Sequence, residues 1–169
     1  SQFPMATDTI VNKVAASGII AFDLMMHEPT IEVVGFDLKP LLYMEMIIKE
    51  KEFRTAVAQV DFSRYRNKAV AVYCSVDAII PQWVYMVIAD KLYSETTLFK
   101  FCTPEALKLE LWESNVQQAD ITDYHNQKVV VRANPDIHPS LYMTASKKLK
   151  PIVKSLLYGE IGMPKVIFK

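Results

Sequence analysis

The sequence predicts a single α/β domain with a mixed, mostly parallel sheet flanked by helices and with an N-terminal antiparallel strand pair. From Ala69 onward, short β-branched runs alternate with helix-length segments that begin at proline, a pattern typical of parallel strands joined by helical crossovers. In addition, 169 residues that are 51% hydrophobic can form one substantial core but are few for two. We therefore assign residues 9–169 to one domain and residues 1–8 to a tail, in which residues 1–4 resemble an expression remnant.

The first elements should be a helix and the strand pair. Apolar residues at helical spacing predict a short helix over residues 9–16. Ile19–Leu24 and Ile31–Leu38 are strand-like, and the short loop between them is compatible with a hairpin, so we expect them to pair antiparallel. Gly35 inside the second run is expected to mark a bulge.

Two helices and a central strand follow. Pro40 opens a predicted helix with a broad apolar face, which continues beyond the solvated charged segment Lys49–Glu52 to Val60. Ala69–Tyr73 is a short apolar and β-branched run, which predicts a buried central strand. Pro81 opens a helix that is apolar on nearly every side, so we expect this helix to be packed on both faces.

Strands and helices continue to alternate towards the C-terminus. The further predicted elements are a strand at Leu98–Cys102, a helix from Thr103-Pro104, a strand at Val129–Val131, a helical region from Pro139 and an edge strand at Lys165–Phe168. The region from Pro139 carries apolar residues at helical spacing as far as Leu156, and Pro151 should kink or divide it.

Residues 61–92 and 120–149 resemble each other. Each segment begins with Asp and continues in the same order with Ser or Thr, Tyr, Asn and Lys, if one residue is inserted, before a strand and a proline-initiated helix. Two interpretations stay open: a true duplication, or similar strand-to-helix transitions that select similar residues. Under either interpretation, Cys74 and Asn134 occupy equivalent places just past the end of a strand.

The charge balance and the lack of a long apolar run argue against nucleic acids and membranes as partners. The chain has 19 Lys and Arg residues and 19 Asp and Glu residues, so we expect no binding to nucleic acid or to an anionic membrane. No apolar run approaches the ~20 residues that cross a bilayer. Two cysteines without an exported-looking leader favour reduced thiols and a cytoplasmic location.

The candidate site lies where the predicted parallel strands end. Cys74, Cys102 and Asn134 each follow a strand, and ligands of open α/β sheets bind at the edge that carboxyl ends share. A thiol between a strand and a helix can be activated by backbone N–H groups, so Cys74 is the candidate nucleophile or metal ligand, with Asp77 as a second metal ligand. The residues expected to bind a ligand are Asp77, Arg132, Asn134, Asp136 and His138.

Each of these residues also has a structural interpretation. Cysteine is commonly a small buried residue, Asp77 can bond backbone N–H groups of its loop, and His138 can cap the helix that follows it. His27 and His125 lie in turn-like segments and are expected at the surface. The sequence has no CxxC motif and only 4 glycines, which are not clustered, so neither a dithiol site nor a phosphate-binding glycine loop is predicted. The cofactor stays unknown, and a metal ion is the one candidate.

The segments IVNKVAASGIIAFDL, YCSVDAIIPQWVYM, KVVV and KPIVKSLLYGE occur in this order over most of residues 9–160. Together they resemble the uncharacterised domain-of-unknown-function family 2480 of the Bacteroidetes, which implies a soluble bacterial protein and brings no established activity. Members commonly carry three cysteines, at the position of Cys74, after the Val129–Val131 strand and after the final YGE, which imply a metal or cluster site. This chain has Asn134 and Gly162 at the second and third places, so the implied site is incomplete here.

Three functional interpretations follow from these observations. The first is a protein that binds a small ligand or a metal at the carboxyl edge of its sheet around Cys74. The second is a cysteine-dependent enzyme, in which loss of the Cys74 thiol would abolish turnover. The third is a homodimeric interaction or scaffold protein without catalysis, which would bury Met- and Tyr-rich surfaces.

Overall fold

The protein is described from a computed structural model, which describes residues 18–169. The helix predicted over residues 9–16 lies outside this range. The strands of the described part are β1 (Ile19–Phe22), β2 (Val33–Asp37), β3 (Ala69–Tyr73), β4 (Phe99–Phe101), β5 (Lys128–Arg132), β6 (Ser155–Gly159) and β7 (Lys165–Phe168). Its α-helices are α1 (Glu50–Ala58), α2 (Gln82–Tyr93), α3 (Pro104–Gln118) and α4 (Pro139–Leu149).

The chain divides into two compact units. The central unit is Pro29–Glu110, and the terminal unit combines residues 18–28 with Leu111–Lys169. The mixed α/β class with mostly parallel strands is confirmed. The single domain over residues 9–169 stays a prediction, because compact units of one chain can unfold together or separately.

Each unit has its own sheet. The central unit contains a 3-stranded sheet in the order β2-β3-β4, and all of its strands are parallel. The terminal unit contains a 4-stranded sheet in the order β1-β5-β6-β7, in which β7 alone is antiparallel to its neighbour. The edge strand predicted at Lys165–Phe168 is therefore confirmed.

The predicted N-terminal antiparallel pair is wrong. β1 runs parallel to β5, β2 runs parallel to β3, and the two strands belong to different sheets. Residues 25–30 were expected to turn the chain back, but Leu24–His27 forms a 3₁₀ helix. Asp23 caps this helix, and its Oδ1 accepts a hydrogen bond from the Met25 N–H at 2.9 Å. Each strand pairs with a strand of its own unit instead, since the apolar pattern that predicts a strand does not specify which strand pairs with it.

The helix expected from Pro40 is wrong between its first turn and Glu50, whereas its predicted continuation towards Val60 corresponds to α1. Lys39–Leu41 forms a short 3₁₀ helix, and α1 begins only at Glu50. Between them, Tyr43 and Ile47 form an antiparallel bridge around Met44 and Glu45, whose φ angles are 52° and 57°. Two successive positive φ angles define the tight turn of a hairpin, which interrupts any helix.

The last predicted helical region ends earlier than expected. α4 stops at Leu149, and Pro151, which has no N–H to donate, follows in the turn. Leu156 lies in β6, where it is buried between β5 and β7, so its helical placement is wrong. The bulge expected at Gly35 is wrong as well, since β2 and β3 pair continuously from Val33 to Asp37.

The two units repeat one order of elements: strand, 3₁₀ helix, α-helix, 3₁₀ helix, strand, α-helix, strand. In the central unit these elements are β2, Lys39–Leu41, α1, Phe62–Tyr65, β3, α2 and β4. In the terminal unit they are β1, Leu24–His27, α3, Thr122–Tyr124, β5, α4 and β6. The resemblance seen in the sequence therefore extends over nearly the whole of each unit.

Local geometry repeats in the same way. Just before the second 3₁₀ helix, an aspartate accepts a hydrogen bond from the N–H two residues later, at 3.1 Å for Asp61 with Ser63 and at 3.0 Å for Asp120 with Thr122. An asparagine with positive φ follows in both units: Asn67 at 60° and Asn126 at 61°. Because asparagine tolerates this backbone region better than most residues, the same residue ends both turns.

The buried residues of the helices correspond too. These residues are Val84, Ile88 and Leu92 in α2 with Leu141, Ala145 and Leu149 in α4, and Phe53 and Val57 in α1 with Trp112 and Val116 in α3. The correspondence through β3 and β5 needs no inserted residue, so Cys74 is equivalent to Ala133 rather than to Asn134. Agreement in order, turn geometry and buried positions favours duplication over similar but independent transitions.

Candidate functional site

The residues of the predicted crevice are divided between the two units. Cys74 and Asp77 follow β3 in the central unit, whereas Arg132, Asn134, Asp136 and His138 lie at or after the end of β5 in the terminal unit. The expected crevice assumed that β3 and β5 share a sheet, but they belong to different sheets. Each group is therefore described within its own unit.

The loop after β5 uses its polar side chains to order its own backbone. Asn134 Oδ1 accepts a hydrogen bond from the Asp136 N–H at 2.9 Å. His138 Nδ1 accepts one from the Ser140 N–H at 3.1 Å and so caps α4. These contacts fit the structural interpretation of His138. Ligand binding by these residues stays a prediction.

Arg132 lies between two carboxylates at the end of β5. Its guanidinium nitrogens are 3.8 Å from an oxygen of Asp23 and 3.8 Å from an oxygen of Glu160. Exposed pairs at this distance contribute little to stability. The Tyr142 hydroxyl donates to the Arg132 carbonyl at 3.2 Å and accepts from the Asn134 N–H at 2.8 Å, which fixes the start of the loop.

His27 is more enclosed than the sequence suggested. Its ring stacks on Phe22 with centroids 5.1 Å apart, and its carbonyl accepts a hydrogen bond from Asn115 at 2.9 Å. Burial lowers the pKa of His27 from its ordinary value of 6.5, the positive charge of Lys148 lowers it further, and Asp23 acts in the opposite direction. The folded protein therefore binds a proton at His27 less readily than the unfolded chain.

We expect this shift to make stability depend on pH. At pH values above 6.5, the ordinary pKa of His27, the contribution of His27 to the free energy of unfolding is fully present. This contribution is lost as the pH falls through the lowered pKa of the folded state. Urea unfolding at about pH 7.5 and about pH 5.5 measures the loss, and His27→Gln should lose less stability between the two values. Equal losses for both proteins would contradict the described surroundings of His27.

The central unit has an open groove between α1 and α2. It has a volume of about 360 Å³ and is lined by Glu50, Arg54, Trp83, Met86 and Val87, which we call the α1–α2 groove. α1 lies in the crossover from β2 to β3 and α2 in the crossover from β3 to β4, so the N-termini of both helices face the carboxyl ends of the parallel strands. This is the edge at which ligands of α/β sheets bind.

Arg54 is held above an indole ring in this groove. Its Nε donates to Glu50 Oε2 at 3.0 Å, and its guanidinium carbon lies 5.1 Å from the centroid of the Trp83 ring. Phe53, which is fully buried, supports that ring edge-to-face at 5.5 Å and 81°. The Arg54 side chain is 56% exposed, so its terminal nitrogens are accessible to a ligand.

At the corresponding position of the terminal unit, the side chains form hydrogen bonds with one another. Arg54, Trp83 and Val87 correspond to Glu113, Ser140 and Thr144 in the repeat. Ser140 Oγ and Thr144 Oγ1 donate to the two carboxylate oxygens of Glu113 at 3.3 Å and 3.4 Å. The repeats thus keep the same core but carry opposite charges here, and the central unit alone presents an aromatic surface.

Comparison with known proteins decides the family. Residues 8–169 match the family described as "Protein of unknown function (DUF2480)". The chain belongs to this family. No curated protein and no solved structure matches the chain. Because the family description names no activity, the function of this DUF2480 member has to be argued from its own geometry.

The metal site implied by the DUF2480 resemblance does not fit the residues present. Cys74 is half-buried and packs against the apolar core of the central unit, and Asp77 is exposed. Within residues 18–169, no three His, Cys, Asp or Glu side chains are placed to hold a metal ion. The other thiol, Cys102, has its pKa raised by burial and by Glu110, which disfavours the thiolate that metals bind. Catalysis by Cys74 stays a prediction.

Sequence reasoning missed the α1–α2 groove for a definite reason. The charged segment near Arg54 indicated a solvated face, and the apolar residues of α2 indicated a helix packed on both sides. In the structure α2 is packed on one face, and Met86 on the other face is 72% exposed. The one signal in the sequence was that α2 is apolar on nearly every side. When a helix packs on one face only, the apolar side chains of its other faces are exposed. No helix between residues 18 and 169 is long and apolar enough to cross a membrane.

Proposed function

We propose that this DUF2480 protein binds a small ligand that combines one anionic group with a flat apolar body in the α1–α2 groove. The observation that carries the proposal is the placement of the Arg54 guanidinium over the Trp83 ring beside an open volume of about 360 Å³. That volume is within the range of small-molecule sites, which combine apolar walls with a few polar groups.

The charges of the groove support an anion. Arg54 can form two parallel hydrogen bonds to a carboxylate, and the positive ends of α1 and α2 lie on the same side of the sheet. Glu50 neutralises part of the arginine charge, which favours a ligand with one negative charge over a polyanion. Trp83, Met86 and Val87 supply the apolar surface for the body of the ligand.

The test uses phenylacetate as the probe and its neutral analogue phenylacetamide as the matched compound. The chain has 2 tryptophans, so the indole N–H signals in an NMR spectrum can be assigned with Trp112→Phe. Phenylacetate should shift the Trp83 indole signal to saturation, and phenylacetamide should bind about tenfold more weakly, because it lacks the charge-assisted hydrogen bond.

Arg54→Gln should reduce phenylacetate affinity about tenfold or more, since it removes the group that binds the anion. The matched control is Arg64→Gln, which changes an exposed arginine of the same unit that lies over Tyr65, outside the groove, and should leave affinity unchanged. Equal binding of the acid and the amide, or unchanged affinity in Arg54→Gln, would contradict the proposal.

The site differs from the one expected at Cys74, although it lies on the carboxyl side of the same sheet. No contact of Cys74 or Asp77 supports a bound metal. The cysteine-dependent enzyme, the homodimer, the cytoplasmic location and the lack of nucleic-acid binding stay predictions from the sequence.

A further inference from the structure

The outer edge of β4 differs between the two repeats. β4 closes the 3-stranded sheet, and among the described strands it pairs with β3 alone. Its counterpart β6 pairs with β5 on one side and with the antiparallel β7 on the other. The terminal unit therefore covers its third strand, whereas the described part of the central unit provides no such strand for β4.

The backbone of β4 presents hydrogen-bonding groups at this edge. The Leu98 carbonyl accepts a bond from β3 at 2.8 Å, and the Cys102 N–H donates one to β3 at 3.1 Å. Backbone groups of successive residues alternate in direction along a strand, so the N–H and C=O groups of Phe99 and Phe101 face away from β3. The equivalent residues of β6 are Leu156 and Tyr158, which pair with β7.

Apolar side chains accompany these groups. Phe101 is 64% exposed and contacts Tyr85 edge-to-face at 5.2 Å and 74°. A cavity of about 230 Å³ is lined here by Val72, Tyr85, Ala89, Phe99, Lys100 and Phe101. The terminal unit repeats the aromatic pair as Tyr142 and Tyr158, at 5.6 Å and 65°, and there β7 lies alongside.

We propose that the outer edge of β4 binds an extended peptide segment of a partner protein as an antiparallel strand, as β7 covers β6. The segment should resemble β7, whose residues Lys165–Phe168 include three consecutive apolar side chains. Backbone bonds to Phe99 and Phe101 supply affinity, and an apolar side chain of the segment enters the cavity beside Phe99.

Charge argues against a second copy of this chain as the occupant. If two β4 strands paired antiparallel about a twofold axis, Phe99 would face Phe101 and Lys100 would face Lys100. Like charges directly opposite each other destabilise a strand pair, and lysines on edge strands are a common protection against self-pairing. A different chain with an uncharged residue opposite Lys100 avoids this repulsion.

The experiment is an NMR titration of the whole protein with a synthetic peptide of residues 162–169. We expect saturable shifts of the Phe99 and Phe101 amide signals and slower hydrogen exchange of the same amides, because both become donors to the added strand. A peptide with proline in place of both Lys165 and Phe168, the residues of β7 that pair with Tyr158 and Leu156, should cause no saturable shift. Shifts restricted to β6 and β7 would show exchange with β7 and would overturn the proposal.

Variants separate strand addition from nonspecific apolar binding. Phe101→Glu places a charge beside the added strand and should weaken peptide binding at least about tenfold. Met143→Glu is the matched control, since Met143 is 74% exposed on α4 in the terminal unit, and it should bind as the unchanged protein does. Equal binding by Phe101→Glu, or shifts at Phe99 that depend on protein concentration without peptide, would refute binding of a partner strand.

Discussion

Phe53→Ala is expected to lower the free energy of unfolding by about 3–5 kcal/mol, the usual cost of truncating a buried aromatic side chain. Phe53 is fully buried in the core of the central unit, where its ring supports Trp83 at 5.5 Å. Alanine would leave a cavity beneath the α1–α2 groove and remove the contact that orients the indole. Stability and phenylacetate affinity should therefore decrease together.

Urea unfolding followed by circular dichroism measures the loss. The control is Met86→Ala, which truncates a 72% exposed side chain of the same groove and should change stability by no more than about 0.5 kcal/mol. A loss below about 1 kcal/mol in Phe53→Ala would contradict the described packing. If residues 9–169 form the single predicted domain, the protein should show one urea unfolding transition, and Phe53→Ala should move the whole transition to lower urea. Two transitions, of which Phe53→Ala moves only one, would show that the units unfold separately.

Gly35→Ala is expected to lower the free energy of unfolding by about 1–3 kcal/mol, the usual cost of overpacking. A Cβ atom at Gly35 would lie 2.8 Å from Tyr73 Cε1 and 3.1 Å from Pro104 Cγ, so the tyrosine ring has to move. In the terminal unit the equivalent position is Ala21, and the residue equivalent to Tyr73 is Arg132. Alanine is present in the repeat whose residue equivalent to Tyr73 is an arginine.

Chemical denaturation of Gly35→Ala should be compared with Gly162→Ala, because a Cβ at Gly162 meets nothing within 4 Å. The double variant Gly35→Ala/Tyr73→Ala tests the cause. If the ring is responsible, the two changes together should cost less than the sum of their separate effects. Additive effects would show that Gly35 is required for another reason.

The sequence predicted correctly those elements whose backbone conformation depends mainly on their own residues. The strand predicted at Ala69–Tyr73 has the same bounds in the structure, as does the edge strand Lys165–Phe168. α4 begins at Pro139, as predicted, because proline suits the first turn of a helix. Pro40 carried the same signal, but the positive φ angles of Met44 and Glu45 show that a hairpin replaced the expected helix.

The candidate site could be predicted only in outline. The sequence predicted parallel strands followed by helices, because strand-to-helix alternation is visible in the residue pattern, and ligand binding at the carboxyl ends of these strands stays a prediction. It could not identify Arg54 and Trp83 as neighbours, since they lie on different helices and meet only when both helices pack on one sheet. Asn134 and His138 were placed correctly after a strand, but their backbone contacts became visible only in the folded loop.

The α/β class with mostly parallel strands and the family followed from the sequence, because hydrophobic period, turn residues and the order of motifs are properties of the chain, whereas the internal repeat was one of two open interpretations. Tertiary structure alone decided which strands pair. β1 and β5 contain residues that pair, such as Ile20 and Val129. In the sequence, the whole central unit lies between these two residues. An apolar run indicates that a strand is buried but does not identify the strand that pairs with it. The division into two sheets, with Cys74 after a strand of one sheet and Arg132 in a strand of the other, therefore followed from long-range pairing.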